Sequence, residues 1–127
     1  MGMKRDSYER YIAVIFECIE KRKTVNYEDK KSVCIYNRAF DRCIKYIMRI
    51  DAEYPERLDE FLDTVLASEE FVIRHCAQFF FKMQNATVEQ KLRAREAIYQ
   101  LLFSADIEDY NKWAIRKNFE RGLYNVQ

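Results

Sequence analysis

Apolar residues recur at helical spacing from one end of this chain to the other. Tyr8, Tyr11, Ile12, Ile15, Phe16 and Ile19 fall three and four apart, which predicts a first helix over about Ser7 to Arg22. Val33, Tyr36, Phe40, Ile44, Ile47 and Met48 hold one stripe of a second, longer helix, capped by Asn26 and running to about Ala52. Tyr54-Pro55 ends it, because the residue before proline avoids helical angles while proline suits the start of the next segment. A short third helix follows from Pro55 to Leu66, with Leu58, Phe61, Leu62 and Val65 inward. Ser68 is the expected cap of a fourth helix, Glu69 to Gln84, whose leading glutamates suit the positive end of the helix dipole. Thr87 and Gln90 have the spacing of a capping box, opening a fifth helix with Leu92, Ile98, Leu101 and Leu102. Asp106 is placed to cap a sixth, with Ile107, Tyr110, Trp113, Ala114 and Phe119 apolar and Gly122 as a left-handed stop.

Composition closes off the other fold classes. The 127 residues contain two glycines and one proline, too few for the hairpins of an all-β fold or for a glycine-rich nucleotide loop. Hydrophobic residues make up 49% and charged residues 34%, which excludes a disordered chain. The expectation is a single all-α domain, residues 1–127, of about six helices in three antiparallel hairpins.

The fourth helix breaks the one-faced rule. Phe71, Ile73, Cys76, Phe79, Phe80 and Phe81 spread apolar character around more than half its circumference. Successive residues point about 100° apart on an α-helix, so this helix is expected between neighbours on two sides. The alternative is an exposed aromatic patch used for dimerisation.

The segment 62–77 also carries a family likeness. Leu62-Asp63-Thr64-Val65-Leu66 leads through the acidic turn Ser68-Glu69-Glu70 into a second helix with Ile73-Arg74 and the small residue Ala77. This resembles a HEAT-type helical repeat, in which Val-Arg and then small residues follow such a turn. From Tyr36-Asn37-Arg38 onward the chain resembles a small bacterial family of HEAT-like domains, the DUF2019 type. Phe79 to Phe81 depart from the pattern, which has alanines and leucine there. The resemblance implies an α-α superhelix that binds macromolecules. Small HEAT-like domains of this size include immunity proteins, antitoxins that cover the active surface of a cognate toxin. HEAT-like DNA glycosylases instead track a phosphate backbone through a positive groove.

Charge changes the picture locally, since the net charge of +1 selects no class of partner. Arg38, Arg42, Lys45 and Arg49 fall on one face of the second helix, with Lys31 two turns back. Glu56, Asp59, Glu60 and Asp63 do the same on the third helix, with Glu69 and Glu70 just beyond. Like charges at this spacing cost ~0.2–0.5 kcal/mol per pair on an isolated helix. Either the stripes are neutralised or solvated within the fold, or they recognise a partner. The acidic stripe suits a basic protein, such as a toxin domain, and the basic stripe suits nucleic acid. A homo-oligomeric structural module is the third reading. A non-enzymatic protein-binding module is the function expected.

Candidate chemistry is sparse. The one histidine, His75, sits beside Cys76 on a helix, where adjacent side chains diverge and cannot readily share a metal. It is expected to be structural, and no catalytic, cofactor-binding or metal-binding residue is expected. The cysteines Cys18, Cys34, Cys43 and Cys76 form no C-x-x-C pair, and three lie among apolar neighbours as small hydrophobes do. Met1-Gly2-Met3-Lys4-Arg5 is basic, but the apolar run after it is too short for a signal peptide or membrane span, and Asp6 stands where myristoylation needs serine or threonine. Such a chain is expected in the cytoplasm, away from membranes.

Overall fold

A computed structural model describes residues 7–126, apart from the side chains of Arg22 and Lys23. The N-terminal motif Met1 to Asp6 lies outside the described residues. All regular structure among the described residues is helical. It comprises α1 (Ser7–Glu20), α2 (Lys30–Glu53), α3 (Leu58–Leu66), α4 (Phe71–His75), α5 (Val88–Leu101) and α6 (Asp109–Glu120). Three 3₁₀ segments, Lys21–Thr24, Pro55–Arg57 and Cys76–Lys82, join or extend them. By its internal contacts the chain divides into two compact units, Met1–Tyr54 and Pro55–Gln127.

The first unit is a helical hairpin. Tyr11 near the start of α1 packs edge-on against Tyr46 and Tyr54 at the end of α2, so the two helices run antiparallel. Ile15, Cys18 and Ile19 continue the α1 seam. On α2 the deepest line is Ala39, Cys43, Ile47 and Ile50, whereas Tyr36, Phe40, Ile44 and Met48 are half-buried beside it. The expected stripe is therefore turned. α1 brings tyrosines and isoleucines to the seam, and close packing is met by small side chains opposite them. The N-cap of α2 is Asp29, not Asn26, and its Oδ1 accepts from the Lys31 N–H at 3.0 Å. Asn26 closes the preceding turn, its Oδ1 accepting from the Glu28 N–H. At the other end Tyr54 leaves helical angles before Pro55, as expected.

The second unit packs α3, α4 and the 3₁₀ segment Cys76–Lys82 against α5. Leu58, Phe61, Leu62 and Val65 of α3 are fully buried, and Phe61 stacks on Phe80 with ring centres 5.9 Å apart. The expected long fourth helix is instead a five-residue α4 continued by seven residues of 3₁₀ helix, capped by Glu70. Ser68 Oγ accepts from the Glu70 N–H, and closes the turn before the helix. The change of period explains the three phenylalanines. With three residues per turn, Ala77, Phe80 and Met83 align on one edge, and all three are buried. Cys76 and Phe79 line a second buried edge, and Phe81 turns toward Tyr124 on the third, 5.3 Å away. Neighbours on several sides are thus present, as the apolar circumference requires.

The Thr87–Gln90 capping box is present in full. The Gln90 N–H donates to Thr87 Oγ1 at 3.1 Å, and the Thr87 N–H donates to Gln90 Oε1 at 2.8 Å. α6 begins at Asp109 with Glu108 as N-cap, not at Asp106. Asp106 accepts from Ser104 Oγ and pairs with Arg74 at 3.7 Å. Its carboxyl is held below the usual range, chiefly by the serine hydrogen bond. Gly122, at φ +74°, ends α6 as expected. The Leu123 N–H bonds to Asn118 O and the Gly122 N–H to Phe119 O, a Schellman motif. Tyr99 in the last turn of α5 meets Phe119 in the last turn of α6, so this pair crosses and does not lie antiparallel along its length.

Candidate interaction surfaces

The basic stripe lies on the outer face of α2, with Lys31, Arg38, Arg42 and Lys45 exposed. Arg49 is different. Its guanidinium sits 4.6 Å from the Tyr11 ring and 5.3 Å from the Tyr46 ring, and its Nε donates to Glu53 at 3.0 Å. The Tyr11 hydroxyl donates to the same carboxylate at 2.7 Å. That hydrogen bond and the one from Arg49 hold the Glu53 carboxyl below its ordinary range, while Tyr11 is pushed up. Arg42 covers Tyr46 from 5.5 Å. The lower end of the stripe is therefore built into the hairpin, and the solvent-facing part runs from Lys31 to Lys45.

The acidic stripe is largely occupied inside the second unit. Asp63 pairs with Arg93, Glu60 with Arg57 at 2.7 Å, and Asp59 accepts from Gln90 Nε2 at 2.9 Å. Each partner lies on α5 or just before α3. Glu56 and Glu69 are exposed, and Glu70 is half-buried at the N-cap of α4. Asp59, Glu60 and Asp63 nonetheless remain exposed on α3.

A third surface was not anticipated. The inner line of α5 is Gln90, Ala94, Ile98 and Leu101, all buried. Leu92, expected inward, is 48% exposed, whereas Ala94 is fully buried. On the outer side Val88, Leu92, Tyr99 and Phe103 follow at i, i+4, i+11 and i+15, all exposed. α5 thus carries two apolar faces. Between its outer face and α6 runs a groove of about 700 Å³, floored by Leu92, Tyr99, Leu102 and Phe119. Arg95 and Glu96 from α5, with Arg116 and Glu120 from α6, form its rim. Tyr110 and Trp113, expected as part of the apolar face of the sixth helix, are exposed and stacked on each other at 6.3 Å; the buried residue of α6 is Ile115. The spacing of Val88, Leu92, Tyr99 and Phe103 is visible in the sequence as a stripe apart from Ile98 and Leu101.

His75 closes α4 with its Nε2 buried and without a hydrogen-bond partner among the described residues. Burial pushes its pKa down to about 4. The residue as a whole is half-buried, with its Nε2 the enclosed end of the ring. Cys18, Cys43 and Cys76 are buried and Cys34 is exposed, all as free thiols. Burial raises the Cys18 thiol. Among the described residues no group of His, Cys, Asp or Glu is gathered as a metal site, and no helix is long and apolar enough to cross a membrane. Compared with family models, with curated proteins and with solved structures, the chain matches none.

Proposed function

We propose that this chain is a non-enzymatic protein-binding module. The observation that carries the reading is the α5–α6 groove, an aliphatic and aromatic recess open to solvent with charges of both signs along its rim. A contiguous exposed apolar surface rimmed by polar groups is the usual mark of a protein contact. The non-enzymatic part is supported by His75, whose Nε2 is enclosed without a hydrogen-bond partner and whose ring is held neutral. The HEAT-type resemblance of 62–77 extends the proposal to an α-α superhelix acting as a toxin-neutralising immunity protein in a bacterial cytoplasm. In that form Glu56 and Glu69, which face solvent, are the steering charges for a basic toxin domain.

One observation favours a second reading. Lys31, Arg38, Arg42 and Lys45 place four exposed cations on one face of α2, the footprint of a phosphate-backbone contact. Affinity capture separates the two, using wild type beside Leu92→Glu and beside the Arg38, Arg42 and Lys45 triple alanine variant. A defined protein retained by wild type and lost with Leu92→Glu supports the module. Nucleic acid retained alone, and lost with the triple variant, replaces it.

A further inference from the structure

We propose that the α5–α6 groove takes an acidic amphipathic helix of another protein, a partner assignment that rests on reading the groove as a protein-binding surface. The charges along the rim are not equivalent. Glu96 accepts a hydrogen bond from Gln100 at 3.0 Å, and Glu120 pairs with Lys117 at 3.3 Å. Arg95 and Arg116 line the same groove, one from each helix, and both are exposed. Neither makes a hydrogen bond or ion pair among the described residues. Each follows another cation by one turn, Lys91 before Arg95 and Lys112 before Arg116, at a spacing where like charges repel. With Lys117 included, the rim sets three cations against two carboxylates. Its carboxylates are engaged within the chain and its guanidiniums are open, so the charge it complements is negative. Guanidinium forks match carboxylates bidentately, which suits Glu and Asp side chains on the incoming partner.

Shape selects a helix. The α5 side of the groove runs from Leu92 to Leu102, about 15 Å at 1.5 Å per residue, or nearly three helical turns. An extended segment laid there would meet helical backbone already bonded to itself, and its own N–H and C=O groups would go unpaired over the apolar floor. A helix satisfies its backbone internally and sets apolar anchors at i, i+3 or i+4, and i+7 into such a groove. A small molecule is normally enclosed by its site, whereas this recess is open and aromatic surface continues past it. Phe103, in contact with Tyr99, stands 68% exposed, and Trp113, three residues before Arg116, stands 52% exposed.

Trp113 is the one tryptophan of the chain, so its emission reports occupancy of this face without a label. The probes are three tryptophan-free peptides of about fourteen residues, ~21 Å long as helices. The first carries Leu and Phe at i, i+4, i+7 and i+11 with Glu flanking them. The second has Lys for each Glu, and the third has Gln for each apolar residue. The first is expected to bind the full chain with a Kd of about 10–100 µM, weakening several-fold as salt rises from about 50 mM to about 500 mM. The second should bind at least about ten-fold more weakly, and the third not at all below about 1 mM. Arg95→Glu combined with Arg116→Glu should reverse the preference between the first two, a gain that a misfolded chain cannot produce. Equal binding of both peptides, lost with Leu92→Glu, overturns the acidic partner and leaves the groove as a protein site. Peptide binding indifferent to Leu92→Glu removes both. If no peptide binds below about 1 mM, the acidic helix is overturned, and capture of a defined protein that is lost with Leu92→Glu decides separately whether the groove stays a protein site. In that case sedimentation as a dimer gives the face to a second copy, and saturable quenching of Trp113 by decanoate gives it to a small anionic amphiphile.

Discussion

Asp63 on α3 pairs with Arg93 on α5, and one turn earlier Asp59 accepts a hydrogen bond from the buried amide of Gln90. The same amide group serves the capping box through its oxygen, so one side chain joins α3 to the start of α5. An acidic stripe that looks like a recognition surface is thereby mostly a clamp within the second unit. Reversing Glu56, Asp59 and Asp63 together should lower stability by about 1–3 kcal/mol, most of it from Gln90 losing its partner and the remainder from the exposed ion pair. Glu56→Lys alone should cost nothing measurable. Urea unfolding of the triple and single variants checks both; an undiminished midpoint in the triple variant would return the stripe to a purely external role.

Phe80 is fully buried in the 3₁₀ segment and stacked on Phe61, which is fully buried too. Truncation to alanine removes a ring from a closed core and should cost about 3–5 kcal/mol. A loss below about 1 kcal/mol in denaturant melts would mean that Phe80 lies at a surface.

His75 gives the stability a pH dependence of known sign. Its folded pKa, about 4, lies below the ordinary 6.5, so the unfolded chain binds the proton more readily. The contribution is complete above about pH 6.5 and is lost as the pH falls toward 4, by up to roughly 3 kcal/mol. His75→Leu keeps the burial and removes the proton site. The difference between wild-type and variant stability should then vary across this window, and stay constant above it. Parallel curves from pH 7 to pH 4 would show that His75 is not buried.

Gly122 sits at φ +74° in the Schellman turn, and a Cβ there would lie 2.7 Å from Asn125 Nδ2. Asn125 is exposed and can swing aside, so the cost of Gly122→Ala is set by the backbone. It should be about 1–2 kcal/mol, read as a lowered midpoint with an unchanged spectrum. Gly122→Asn, tolerant of left-handed angles, should cost less than alanine.

The fold class, the Pro55 break, the capping box and the Gly122 stop were legible because each depends on residues within a few positions. What was not legible depended on packing across elements. Asn26 and Asp29 are both good caps, and Ser68 and Asp106 look like caps too, but Asp106 is claimed by Ser104 and Arg74. The buried line of α2 includes Ala39 and Cys43, small side chains that a search for large apolar residues passes over. Leu92 belongs to one of two apolar lines on α5, and which line is buried depends on the elements packed against the helix. Asp59, Glu60 and Asp63 share α3, but Gln90 and Arg93, the partners of Asp59 and Asp63, lie some thirty positions away, beyond any local pattern.

The 3₁₀ segment Cys76–Lys82 separates two properties that usually go together. Its i to i+3 bonds have poorer geometry than α-helical ones, yet Ala77 and Phe80 are fully enclosed and Cys76 and Phe79 are buried beside them. Its amide protons are therefore guarded by the rings around them and not by the strength of their own bonds. In hydrogen exchange the Phe80 and Met83 amides should be released only when the second unit unfolds as a whole, and they make its natural reporters of global opening. Once the Phe80 ring is gone, the same amides lose that guard and should exchange faster than those of α5, whose bonds need no such protection.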